Sequence, residues 1–156
     1  MARWSDVENE APELAARARA FFDARKHKTI ATLRKDGSPR ISGIEMEFRD
    51  GDLWFGSMWQ AVKALDLQRD PRFALHSGSA DPAEWKGDAK IAGRAEEITD
   101  REVVEDPDAE TPPEPSHLFR LDVSELSVVT VGGNPPDHLV IDSWHEGRGV
   151  TSRRRR

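Results

Sequence analysis

The chain has 156 residues, 37% of them apolar and 33% charged, with no cysteine and a formal net charge of −6. That length suits one domain around one core, the missing thiols exclude disulfides and thiolate metal sites, and no apolar run is long enough for a membrane-spanning helix. Four of the 23 basic residues form the terminal RRRR, so the body is more acidic than the total suggests and neither nucleic acid nor a membrane is expected as a partner.

The N-terminal stretch MARWSDVENEAPELAARARAFF carries acidic residues where a secretory signal would be apolar, and a cytoplasmic protein is expected. Ser5 to Glu8 have the Ser-x-x-Glu form of a capping box, and Leu14, Ala18, Phe21 and Phe22 recur at helical spacing, which predicts a helix over 12–24. KTIATLR at 28–34 predicts a first strand, and KDGS turns it into a second. In that second strand Ser42, Ile44, Met46 and Phe48 share one face, and Ile41, Gly43, Glu45 and Glu47 share the other. RDGD turns the chain into LWFGS at 53–57. A short helix over 61–69 follows, stopped by Asp70-Pro71, and RFALHS makes the fourth strand. AKIAGRAEEIT at 89–99 is the fifth strand, with Gly93 as a bulge or a close approach. The acidic, proline-rich residues 100–116 are expected to be a surface loop. LFRLDVSEL then alternates, with Phe119, Leu121 and Val123 opposed to Arg120, Asp122 and Ser124; SVVTV continues it, GGNPPD turns, and HLVIDSW completes about seven strands. Many short strands with few helices point to a mainly β protein, an antiparallel barrel. One domain is expected over 1–150, with 151–156 a solvated, disordered basic tail.

The five histidines show no zinc-binding spacing, and no metal site is expected. No nucleophile elbow, phosphate-binding lysine loop or dinucleotide fingerprint occurs. GSMWQAVKALDLQRDPRFALHS, residues 56–77, is different, because it holds the parts of an anion site. Ser57 offers a hydroxyl at a strand end, the next helix begins with unpaired amides, and Lys63 adds a full positive charge. The simpler reading makes Ser57 a strand end and Lys63 an exposed helix lysine.

HKTIATLRKDGSPRISGIEMEF, GDLWFGSMWQAVKALDLQRDPRFAL and DAKIAGRAEEI together resemble the split-barrel flavoproteins grouped with pyridoxamine 5'-phosphate oxidase. The resemblance implies an antiparallel split β-barrel that binds FMN, or the related deazaflavin coenzyme F-420, between the subunits of a homodimer and passes hydride to or from a small organic substrate. It implies that Ile41, Ser42, Gly43 and Ile44 run beside the isoalloxazine ring and ribityl chain, with Arg40 at the entrance. Gly56 and Ser57 would meet the phosphate and ring edge, and Lys63 would pair with the phosphate. Relatives often carry arginine where this chain has Val62. The C-terminal residues that hold pyridoxal phosphate in vitamin B6 oxidases do not occur here, so that activity is not expected. A protein that holds flavin or haem without turnover is the alternative.

Trp54 is expected in packing, while Trp59 and Trp85 fall in predicted loops and are candidates for a cofactor pocket or a dimer interface. SWHEGRG at 143–149 reads as a strand end and turn. Its functional alternative is that Arg148 supplies the cation missing at Val62, from the partner subunit.

Overall fold

A computed structural model describes residues 1–99 and 115–156. Two helices open the chain, α1 (Trp4–Glu10) and α2 (Pro12–Asp23). Pro12 separates them because proline excludes the preceding residue from helical geometry, and Ala11 is held at φ −137°, ψ 62°. The capping differs from expectation. Asp6, not Ser5, closes the first turn by accepting the Arg3 N–H at 2.8 Å, and the Ser5 N–H goes to the Gly51 carbonyl.

The strands are β1 (His27–Leu33), β2 (Pro39–Arg49), β3 (Asp52–Met58), β4 (Arg72–His76), β5 (Asp88–Glu97), β6 (Ser116–Gly132), β7 (His138–His145) and β8 (Gly149–Arg155), with α3 (Val62–Arg69) between β3 and β4. Their order is β3-β2-β1-β4-β5-β6-β7-β8, and β3 also pairs with β6. Six strands therefore close an antiparallel split barrel, and β7 and β8 extend from it as a hairpin. Alternation places Ile30, Leu53, Phe55, Phe73, Leu75, Ile91, Phe119 and Leu121 in the interior, each nearly inaccessible to solvent. Phe22 and Ala18 of α2 belong to the same core, and Arg17 of α2 pairs with Asp142 of β7 at 2.9 Å.

β6 is long enough to serve both the barrel and the hairpin because a bulge reverses its facing. Gly93 pairs with Val123 while Ala92 pairs with Glu125, which leaves Ser124 extra. Its hydroxyl donates to the Ala92 carbonyl at 3.1 Å, and its carbonyl receives the Glu146 N–H. Val123 and Leu126 consequently both point inward. The Gly93 expectation is met as a close approach, since a Cβ there would overlap the Asp122 carbonyl oxygen. Gly93→Ala is accordingly expected to lower stability by about 2 kcal/mol, read from the midpoint of denaturant unfolding.

The basic tail is not a disordered end. Residues 149–155 pair with β7 along their whole length, Leu139 opposite Arg155 and His145 opposite Gly149. Gly147 and Gly149, both at positive φ, make the turn that permits this. The expected loop falls mostly outside the described residues, and Ser116 already belongs to β6.

Candidate functional site

The helix that follows β3 is anchored by one buried carboxylate. Asp66 lies on the inner face of α3, only 2% exposed, in a helix whose other buried positions are Ala64 and Leu67. Its Oδ2 receives the Thr32 hydroxyl at 2.8 Å and the Arg40 Nε at 2.7 Å, and its Oδ1 receives Arg69 Nη2 at 3.0 Å. Burial pushes the Asp66 pKa up, but the hydrogen bonds from Arg40, Thr32 and Arg69 outweigh it and the net direction is down. The carboxylate therefore stays ionised and ties α3 to the end of β1 and the start of β2.

Arg40 spends only its Nε on this contact, and its terminal amino groups make no hydrogen bond among the described residues. Lys63, partly exposed in the first turn of α3, has no ion-pair or hydrogen-bond partner among them either. Two cations on α3 and β2 thus keep donors to spare among the described residues, and the carboxylate of Asp66 already accepts three hydrogen bonds. Arg69, the third cation, is committed to Asp66 and to the Leu33 carbonyl.

The other expected contacts divide. Ile41 and Gly43 point outward, Ile41 with 74% exposure and Gly43 with open space where a Cβ would stand. Ser42 is half-buried, and Ile44 is part of the core at 4% exposure. Gly56 is exposed, whereas Ser57 is turned inward and its hydroxyl makes a long 3.4 Å contact to the Met58 carbonyl. Arg148 is exposed in the β7–β8 turn and is not brought to this joint within one chain. Trp54 is buried and donates to the Arg49 carbonyl, and Trp85 contacts Asp88 at 3.4 Å. Trp59, half exposed, stacks on His117 with ring centroids 4.7 Å apart.

Beside Ile41 the outer face of the sheet carries a shallow groove of about 300 Å³. Its floor follows one register row, in which Ile41 faces Ala31, Ala31 faces Ala74, and Ala74 faces Ala92. Three alanines in line let a flat ring system approach the backbone closely, and Lys90 and Glu125 stand at the groove's far side. The sequence showed the small residues but not their alignment, which depends on strand order.

The sequence signature of pyridoxamine 5'-phosphate oxidase matches residues 14–130. No curated protein matches the chain. Among solved structures, PhzG from Burkholderia lata 383, in complex with tetrahydrophenazine-1-carboxylic acid, is similar with a TM-score of 0.65 at 15% identity, covering 93% of this chain and 91% of that one. A haem-binding protein from Mycobacterium smegmatis gives 0.62 at 17% identity over 91% and 87% of the two chains. A pyridoxamine 5'-phosphate oxidase-related, FMN-binding protein from Nostoc punctiforme gives 0.61 at 15% identity over 96% and 97%. These likenesses establish the fold, and the signature spans well over half of the sequence. The chain belongs to the pyridoxamine 5'-phosphate oxidase family.

Proposed function

We propose that the protein is a homodimeric oxidoreductase that binds FMN, with the phosphate at the β3–α3 joint and the isoalloxazine ring on the outer face beside Ile41 and Gly43. The observation that carries this reading is the pair of cations with donors uncommitted among the described residues, Lys63 in the first turn of α3 and the terminal amino groups of Arg40, the residue that precedes Ile41 of the alanine-floored groove. Both halves of FMN then have a matching surface, a dianion against two cations and a flat ring against a flat sheet. When bound, the flavin supplies the electron-transfer chemistry, and the chain's own residues orient it and shield it from water. The substrate is a small organic molecule, and a second subunit closes the groove. Arg148 of that subunit is the proposed further cation.

FMN is favoured over coenzyme F-420 because the acidic tail of the latter calls for added cations, and position 62 is an exposed valine. Haem finds less support. His76, the histidine in the groove wall, accepts the Gly78 N–H at Nδ1, and its Nε2 lies 3.5 Å from a carboxylate oxygen of Asp88, so one nitrogen is already used and the other has an anion beside it. The test is the absorption spectrum and native mass of protein purified from its own host, followed by anaerobic reduction with NADPH. An FMN adduct on a dimer that bleaches on reduction is the expected result, and a colourless protein that takes up no added FMN would overturn it.

The dimer itself is tested through the exposed side chain at the groove. Ile41→Asp places a charge on the face that the second subunit is proposed to cover, and burying it unpaired is prohibitive. The wild type is expected to sediment at twice the mass of one chain and the variant at the mass of one chain. Equal sedimentation of the two would remove this face from the interface.

A further inference from the structure

We propose that His117 and Glu97, on strands that donate nothing to the phosphate, are positioning residues that lock the β3–α3 joint in its binding shape. This rests on the reading of that joint as the phosphate site. Residues 58–61 form the turn between Ser57 and the helix, and Ala61, at the helix start, has no side-chain cap. Gln60 sits at φ 60°, a left-handed conformation that side chains other than glycine adopt at a cost. Such a turn persists only when something outside it fixes it.

His117 is that fixture. It is 2% exposed and pairs with Ser57 across β6 and β3. Its Nε2 accepts the Gln60 N–H at 3.1 Å, which makes Nδ1 the protonated nitrogen, and Nδ1 donates to Glu97 Oε1 at 2.6 Å. The other Glu97 oxygen receives Gln68 Nε2 of α3 at 2.7 Å. One chain of bonds thus runs from the body of the helix, through Glu97 and His117, to the amide of the strained residue before it. The Trp59 ring, nearly parallel to the imidazole at 7°, covers its face. Asp66 anchors α3 to β1 and β2, and this second network anchors the same helix and its approach to β5 and β6.

His117→Phe keeps a ring under Trp59 and removes both nitrogens, while His117→Gln returns one donor and one acceptor on a single amide. Titration of each folded variant with FMN and with riboflavin reads the phosphate contribution separately from that of the ring. The Phe variant is expected to bind FMN about 10-fold more weakly with riboflavin affinity unchanged, and the Gln variant to recover most of the loss. Hydrogen exchange at the Gln60 amide should accelerate by at least about 10-fold in the Phe variant without ligand, as a bonded amide becomes free. An unchanged preference for FMN over riboflavin in His117→Phe would overturn the proposal, as would equal losses for both ligands. Should that variant not fold, Glu97→Ala takes its place under the same criteria. Lys63→Ala, run alongside, separates the two levels: a lost FMN preference there with none in the His117 variants sinks only the positioning role, and no lost preference in Lys63→Ala sinks the phosphate reading and this inference with it.

Discussion

Asp66→Ala is expected to destabilise the fold by about 3 kcal/mol, the lower end of the range for removing one partner from a buried ion pair. The figure sits at the lower end because Arg69 is 39% exposed and recovers some hydration, whereas Arg40, at 24%, recovers less. Thr32, 1% exposed, would also lose the acceptor for its hydroxyl. The same carboxylate gives the stability a pH dependence of known sign. Its folded pKa is depressed, so its contribution is fully present above the unfolded value of about 3.9 and is lost as pH falls through the lower folded value. Denaturant titrations of wild type and variant at neutral pH and in acid check both statements: the gap between them should narrow below about pH 3.9. A constant gap would show that Asp66 contributes packing rather than charge.

Lys63→Ala is expected to weaken FMN binding by about 1.5–3 kcal/mol, the worth of a hydrogen bond to a charged group. That is roughly a 10- to 150-fold rise in dissociation constant. No arginine stands at position 62 to compensate, and Asp66 holds Arg40 by its Nε, so the guanidinium is not free to swing across and replace the ammonium. Riboflavin, lacking the phosphate, should bind equally well before and after the change. Folding should be unaffected, because lysine and alanine have similar helix propensities and Lys63 has no partner to lose among the described residues. Fluorescence titration with the two flavins decides it, and parallel losses for both would return Lys63 to an ordinary helix lysine.

The barrel was legible in the sequence because its strands alternate and its turns carry glycine and aspartate, signals that depend only on neighbours in the chain. The strand–turn–helix course of residues 53–69 was legible in outline for the same reason. Asp66 was not. In an acidic chain a carboxylate on a short helix looks like part of a wetted face, and only the folding of Thr32 and Arg40 against it makes it the keystone of the site. His117 escaped notice likewise, since its partners Glu97 and Gln60 meet it only when β5, β6 and the β3–α3 turn converge. The tail misled in the opposite direction. Four successive arginines read as a solvated end, yet Gly147 and Gly149 fold them back onto β7, and the arginines then occupy an outer strand, where charge discourages edge-to-edge association. Parity sorts the residues expected along the flavin: alternate positions of β2 face opposite ways, so Ile41 and Gly43 share one face and Ser42 and Ile44 the other.

The pairing that closes the barrel joins Trp54 to Arg120, with α3, β4 and β5 lying between them along the chain. Hairpins such as β1–β2 form between near neighbours and need little chain entropy to be surrendered first, but the β3–β6 seam can form only after a long loop has been drawn together. Closure is thus expected to be the slow step on the way to the native state, with refolding in the roughly millisecond-to-second regime of non-local β topologies rather than that of helical bundles. Until it happens, β3 and β6 each present an unsatisfied edge, so the newly made chain is most exposed to misassociation just before the joint that holds the helix and its lysine comes into being.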